Sequence, residues 1–208
     1  MIYTEKIKLP APDINEILRY AGVREADGGL LSAVDECLAQ VLDYGKVCYA
    51  QVPVAIEENK VIFNFGEVES KALAHSLMGC NEAVIFACTL GMEFDAVLRR
   101  YSLTDVSKAV VMQAVGTERI ETLCDAFMEK FSTKTRRFSP GYGDLSLEFQ
   151  KEITSFLDCY KKIGLSLGGS LIMSPSKSVT AIFGLGKEDC SKRDCCLCEM
   201  WECPYRKE

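Results

Sequence analysis

The strand-like segments of this chain come in pairs that short polar turns join, whereas its helical segments come in runs. One pair covers residues 46–56 and 61–65, and a second pair covers residues 165–173 and 178–185. Residues 83–89 form a continuous apolar run, which is typical of a central strand that is buried on both faces. Strands that short turns join pair antiparallel, whereas a wound parallel sheet needs a helix after each strand. The order therefore predicts an α+β fold with a largely antiparallel, twisted sheet flanked by helices.

Apolar residues recur at helical spacing in five other stretches. The predicted helices cover residues 13–21, 30–44, 71–78, 103–131 and 147–163. The stretch 103–131 contains no proline, so we expect one long helix there. Two acidic residues of this helix, Glu118 and Glu121, are interpreted as solvated helix charges.

Length and charge limit the function of the chain to a few classes. Its 208 residues, 48% of them apolar, suffice for one domain but not for two, and we expect that domain at 1–187 and a cysteine-rich tail at 188–208. A net charge of -6 without any basic run argues against a nucleic acid partner. No apolar stretch has the length of a membrane span, and the first ten residues do not have the pattern of a secretory signal. A cytoplasmic protein without membrane association is expected.

The eleven cysteines fall into two groups. Six stand singly among apolar residues and are expected to be small buried hydrophobic side chains. The other five crowd into the tail, where such density in a reducing compartment indicates metal ligation. The predicted ligands are Cys190, Cys195, Cys198 and Cys203. Their spacing matches neither a zinc ribbon nor a bacterial ferredoxin, so zinc, an iron-sulfur cluster and a reduced tail without metal all stay open.

The loop between the last two long helices combines residues that are suited to holding a small anionic ligand. Arg137 supplies a permanent positive charge, and Pro140 favours a turn. Gly141 and Gly143 permit close approach of the backbone, and Tyr142 adds an amphipathic ring. The same residues are also typical of a tight turn that only connects two helices. The residues alone leave both interpretations open.

Two motifs resemble the activation domain of cobalamin-dependent methionine synthase. They are Arg137-x-x-x-Gly141-Tyr142, followed by a helix, and then Met173-x-Pro175-x-x-Ser178-Val179-x-x-x-Phe183. Residues 79–91 and the cysteine tail are similar to smaller, free-standing relatives of that domain. The sequence departs from the family at Gly143, where the family has a proline, and at Phe183, where it has a tyrosine.

The resemblance implies a binding site for S-adenosylmethionine. Arg137 would pair with the methionyl carboxylate, for which a guanidinium is suited. Gly141 and Tyr142 would line the same pocket. Phe183 and Gly184 would contact the nucleoside, with backbone groups available to the adenine edge. No catalytic acid or base is expected.

The resemblance also implies a function, namely that of a reactivation partner for a corrinoid-dependent methyltransferase such as methionine synthase. The partner would carry the cobalamin, because the only histidine, His75, lacks the aspartate two residues earlier that corrinoid-carrying modules have. Reduction of cob(II)alamin would need an electron donor such as a flavodoxin or a ferredoxin. Two alternatives stay open: a non-catalytic adaptor that docks on a corrinoid protein, and an iron-sulfur protein that delivers electrons for corrinoid reduction.

Overall fold

The computed structural model of the chain describes residues 1–186. Its elements, in chain order, are β1 (Tyr3–Lys8), α1 (Ile14–Tyr20), α2 (Gly28–Leu38), β2 (Tyr44–Glu57), β3 (Lys60–Phe63), β4 (Gly66–Glu69), α3 (Lys71–Leu77), β5 (Glu82–Thr89), α4 (Met92–Thr104), α5 (Val106–Met128), α6 (Gln150–Phe156), α7 (Cys159–Ile163), β6 (Ser166–Leu167), β7 (Met173–Ser174) and β8 (Ser178–Leu185). Among these helices none is long and apolar enough to span a membrane.

The main sheet has six strands, and every pairing in it is antiparallel. The strand order is β4-β3-β2-β5-β8, and β1 pairs with the first half of β2. The predicted α+β architecture with an antiparallel sheet is confirmed. The predicted central strand is confirmed as well, because β5 pairs with β2 along one side and with β8 along the other.

Helices cover both faces of the sheet, so the chain folds into three layers. On β5, Val84 and Phe86 pack into a core with α1, α2, α4 and α5, while Ile85 and Ala87 pack into a second core with α3, α6 and α7. All four side chains are fully buried. This alternation follows from the two-residue period of a strand and explains why the segment reads as a continuous apolar run.

Several predicted boundaries are wrong, each for a local reason. The long helix begins at Val106 instead of residue 103, because Asp105 accepts a hydrogen bond from the Lys108 amide at 3.0 Å and so caps it. The single helix predicted for residues 147–163 is a 3-10 turn at Leu147–Phe149 followed by α6 and α7, and Asp158 separates these two helices in a left-handed conformation with φ of 48°. The strand predicted for residues 165–173 is only the small hairpin of β6 and β7, and its predicted pairing with residues 178–185 is wrong, because β8 pairs with β5 instead.

The patterns missed two short strands, β1 and β4. Both lie at edges of the sheet, and their residues are alternately exposed and half-buried. Charged side chains in both segments conceal the alternation of apolar and polar residues that marks a strand. Helix α2 begins earlier than predicted, because Asp27 caps its first turn by accepting from the Leu30 amide. It also ends earlier, at Leu38, and Tyr44 already belongs to β2.

Candidate ligand groove

An open groove of about 1020 Å³ runs along the outer face of α5. Its lining residues come from α1, from α5 and from the segment that follows α5. They are Asp13, Glu16, Arg19, Tyr20, Val110, Gln113, Ala114, Thr117, Glu118, Glu121, Thr122, Asp125, Met128, Arg136, Arg137 and Tyr142. A groove of this size can hold a ligand that is larger than an amino acid.

The wall formed by α1 is fixed to α5 by a buried ion pair. Arg119 binds Glu118 with an Nη2 to Oε1 distance of 2.6 Å and donates to the Pro10 carbonyl at 2.7 Å. Glu118 in turn accepts from the backbone amide of Asp13 at 3.1 Å. Glu118 is only 3% exposed, so its interpretation as a solvated helix charge is wrong. The pair holds the chain just before α1 against α5 and thereby sets the position of the wall.

Arg137 lies in the groove and is bound to two carboxylates of α5. Its guanidinium donates to Asp125 at 2.9 Å and also forms an ion pair with Glu121. Burial by itself would lower the pKa of Arg137, but the negative groups that face it raise this pKa above its ordinary value. The side chain is 23% exposed, so it remains within reach of a ligand. Glu121 is therefore part of the site and not only a solvated charge.

Gly141 and Tyr142 form a tight turn beside Arg137. Gly141 has φ of 92°, a backbone conformation that favours glycine, and its amide donates to the Leu145 carbonyl at 2.9 Å. The Tyr142 amide donates to the Ser139 carbonyl at 3.1 Å. The Tyr142 side chain is 65% exposed and lines the groove together with Arg137. The structure thus brings these two predicted site residues together, with Gly141 adjacent.

Phe183 and Gly184 lie elsewhere, in β8. Phe183 is fully buried in the core between the sheet and α5, in contact with the rings of Phe86 and Phe131. Gly184 donates to Thr135 Oγ1 at 2.9 Å and accepts from the Thr135 amide at 3.0 Å. Neither residue is among those that line the groove. Their predicted contact with a nucleoside stays a prediction.

Glycine at position 184 has a packing reason. A Cβ atom there would lie 2.5 Å from the Cys80 sulfur and 3.1 Å from Leu77 Cδ2. Strand β8 can therefore approach α3 closely only with a glycine at this point. Gly184, to which the resemblance assigns a contact with the nucleoside, is therefore also required by the packing of the fold.

Sequence reasoning missed most of the groove. Gln113, Thr117 and Asp125 have no motif of their own, and their only shared signal is a spacing of four or eight residues along one face of α5. Glu16 and Arg19 join them only because α1 packs across α5. Such residues could be found from the sequence by asking which face of the long helix is left polar.

The six cysteines of the described part are all buried, as predicted. Two pairs are in contact: Cys88 and Cys124 have sulfur atoms 3.3 Å apart, and Cys48 and Cys159 have sulfur atoms 3.7 Å apart. Burial raises the pKa of the Cys88 thiol well above its ordinary value, which keeps it protonated. Within residues 1–186, no group of three or more potential ligands could hold a metal ion.

The predicted metal ligands of the tail are not part of this description. Cys190, Cys195, Cys198 and Cys203 lie outside the described residues.

Comparison with known proteins identifies the fold. No protein-family model and no curated protein matches the chain. Among solved structures, the chain is similar to the crystal structure of the MetH reactivation domain bound to AdoHcy, with a TM-score of 0.66. The similarity covers 93% of this chain and 80% of that chain, at 13% sequence identity. The chain thus has the fold of this reactivation domain, and the resemblance that the motifs indicated is confirmed at the level of the fold.

Proposed function

We propose that this chain binds S-adenosylmethionine in the groove along α5 and is the reactivation partner of a corrinoid-dependent methyltransferase of the methionine synthase type. The observation that carries the proposal is the open groove in which Arg137 and Tyr142 face the acidic side chains of α5. A shared fold with a domain that was crystallised with AdoHcy supports this ligand class.

The charges of the groove suit a ligand that is mainly cationic but has one carboxylate. Five carboxylates and three guanidinium groups line the groove, and Arg119 outside the lining neutralises Glu118. An excess of negative charge therefore remains. S-adenosylmethionine has an ammonium and a sulfonium that such a lining attracts, and its single carboxylate is the natural partner of Arg137.

The chain would act by orienting the methyl donor. In the proposed reaction one electron reduces cob(II)alamin on the partner, and the sulfonium methyl group passes to the reduced cobalt while S-adenosylhomocysteine leaves. Loss of this methyl group needs neither acid nor base, which agrees with a groove whose described lining has no histidine. The contribution of the chain is then to position the donor.

Binding of the methyl donor is the first test. We expect isothermal titration calorimetry to detect binding of S-adenosylmethionine, and weaker binding of S-adenosylhomocysteine, which lacks the sulfonium charge. The difference between the two affinities should shrink when the salt concentration rises from about 0.05 M to about 0.5 M, because exposed charges are screened within a few ångströms at high salt. Equal affinities at low salt would contradict the electrostatic argument. The matched control is methylthioadenosine, which lacks the amino acid part.

The second test concerns the partner. An oxidised corrinoid methyltransferase, a chemical reductant and S-adenosylmethionine are combined with and without this chain. Regeneration of methylcobalamin should depend on the chain. If the chain binds S-adenosylmethionine but methylcobalamin is not regenerated, the proposed reactivation role is wrong, whereas the proposed ligand is not affected.

An adaptor without a bound cofactor is the second candidate function. It is favoured by one observation, which is that Glu121 and Asp125 already satisfy the Arg137 guanidinium. An adaptor would bind the corrinoid protein but give no calorimetric heat with millimolar S-adenosylmethionine. The donor titration therefore separates the two candidates before any activity is measured.

The source of the electron depends on the tail at 188–208, which we propose as a metal-binding unit that follows the domain at 1–187. With Cys190, Cys195, Cys198 and Cys203 as ligands, an iron-sulfur cluster would allow electron delivery, whereas zinc would not. A flavodoxin or a ferredoxin would otherwise be the donor.

Metal content tests the tail directly. We expect anaerobically purified protein to contain one metal site, and Cys195→Ser to lower the metal content while Cys196→Ser, the neighbouring thiol outside the proposed set, leaves it unchanged. Elemental analysis and the visible spectrum identify the metal. A colourless protein with stoichiometric zinc excludes the electron-transfer role, and equal metal content in the two variants contradicts the ligand set.

A further inference from the structure

Asp144 lies at the end of the loop that carries Arg137 and Tyr142, and its carboxylate binds the start of α3. Ser70 Oγ donates to Asp144 Oδ1 at 2.5 Å. The backbone amide of Lys71 donates to Oδ2 at 2.8 Å, and that of Ala72 donates to Oδ1 at 3.2 Å. One carboxylate thus accepts three hydrogen bonds from consecutive residues that are more than 70 positions earlier in the chain.

The residue before Asp144 allows this contact. Gly143 has φ of 53°, and a Cβ atom on it would lie 3.1 Å from the Ala72 Cβ. A proline is held near φ of about -65° and cannot adopt this conformation. The glycine that replaces the proline of the motif therefore lets the loop turn onto α3 and bring Asp144 to the first turn of that helix.

The other end of the same loop is also fixed. The Phe138 amide donates to the Ile182 carbonyl at 2.7 Å, and the Ile182 amide donates to the Phe138 carbonyl at 2.9 Å. Just after Asp144, Leu145 is 98% buried, with only 2% of its surface exposed. Between these two anchors lies the turn that contains the exposed Tyr142 ring. The two anchors hold the backbone from which this ring extends into the groove.

We propose that Asp144 is a positioning residue for the ligand groove, which holds the Gly141–Tyr142 turn in place by capping α3. The inference rests on the proposed function for the ligand but on separate contacts for the anchor. Removal of the carboxylate leaves two backbone amides of α3 without their partner and weakens the attachment of the turn at one end, where the burial of Leu145 remains. A ligand must then order the turn when it binds, and this entropy cost lowers its affinity.

The charge state of Asp144 agrees with this role. The hydrogen bond from Ser70, together with those from the Lys71 and Ala72 amides, lowers the pKa of Asp144 below its ordinary value. Such a shift means that the three donors favour the ionised carboxylate. An asparagine, which keeps one acceptor oxygen but has no charge, should keep only part of the anchor.

The test compares Asp144→Ala and Asp144→Asn with Asp27→Ala in the full chain. Asp27 is the matched control, because it also caps a helix, α2, by accepting from the Leu30 amide at 2.8 Å, but α2 does not line the groove. Two quantities are measured: hydrogen exchange of the peptide that covers residues 139–145, and the Kd for S-adenosylmethionine by calorimetry.

We expect Asp144→Ala to accelerate exchange of the turn and to raise the Kd about three- to tenfold. Asp144→Asn should be intermediate in both, and Asp27→Ala should change neither. An Asp144→Ala protein whose turn exchanges as slowly as in the wild type overturns the inference, and so does a Kd equal to that of Asp27→Ala. If the wild type itself does not bind the donor, the proposed function fails, and exchange of the turn alone decides whether Asp144 anchors it.

Discussion

Replacing Phe183 with alanine is expected to destabilise the fold by about 3–5 kcal/mol, the range for a buried Phe that is truncated in a core. The ring is fully buried on the face of β8 that packs against α5. It lies 5.1 Å from the ring of Phe131 and 5.9 Å from that of Phe86, centroid to centroid. Phe86 belongs to the sheet and Phe131 to the segment that follows α5, so the cavity would open between two layers that are otherwise well packed.

Denaturant unfolding measures this loss, with Phe183→Tyr as the informative comparison. Tyrosine is the residue that the family has at this position, but its hydroxyl would enter a core lined by the rings of Phe86, Phe127 and Phe131, and burial of an unsatisfied hydroxyl costs about 1–3 kcal/mol. Phe183→Leu, which keeps an apolar side chain, should lose less than alanine. A Phe183→Ala protein that is nearly as stable as the wild type but no longer binds S-adenosylmethionine would show that the ring serves the ligand instead of the core.

The fold was predictable where the signal lies within one segment. β5 and β8 appear as apolar runs of strand length, and α5 appears as a helical period without proline, so the antiparallel sheet and its central strand follow from local patterns. β1 and β4 have no such signal. β1 pairs with β2, from Tyr3 opposite Tyr49 to Lys8 opposite Tyr44, and β4 pairs with β3, and the exposed edges of both strands tolerate charged side chains.

The site was predictable only in part, for the same reason. Arg137 and Tyr142 were found because they lie within six residues of each other in one motif. The opposite wall depends on the contact between Asp13 and Glu118, which are 105 residues apart, and no short motif contains that information. Phe183 is the opposite case, a motif residue that does not face the groove. The alternation of side chains along β8 directs its ring into the core.

Replacing Arg137 with alanine is expected to weaken binding of S-adenosylmethionine by roughly 10- to 150-fold, which corresponds to about 1.5–3 kcal/mol for a hydrogen bond to a charged group. The guanidinium would have to exchange one of its α5 carboxylates for that of the ligand. Asp125, whose side chain is 71% exposed, is the easier one to release, because water replaces its partner at little cost.

Calorimetry on three variants isolates the role of the guanidinium. Arg137→Lys keeps the charge but lacks the planar fork, so its affinity should lie between those of the wild type and Arg137→Ala. Arg100→Ala is the control, because Arg100 also donates to another side chain, that of Gln40 at 3.0 Å, but does not line the groove. Thermal unfolding should show little change in all three, since partly exposed ion pairs contribute at most about 1 kcal/mol.

A second ligand without the carboxylate tests the same interaction from the side of the donor. If Arg137 holds the carboxylate, an S-adenosylmethionine analogue in which the carboxylate is replaced by an uncharged amide should bind the wild type as weakly as the natural donor binds Arg137→Ala. Removal of Arg137 should not lower the affinity for the analogue any further, because the ligand carboxylate and the guanidinium would form one interaction. A double-mutant cycle measures the energy of that interaction. Additive losses would mean that the carboxylate and the guanidinium act at different places, and the assignment of Arg137 to the amino acid end of the donor would then be wrong.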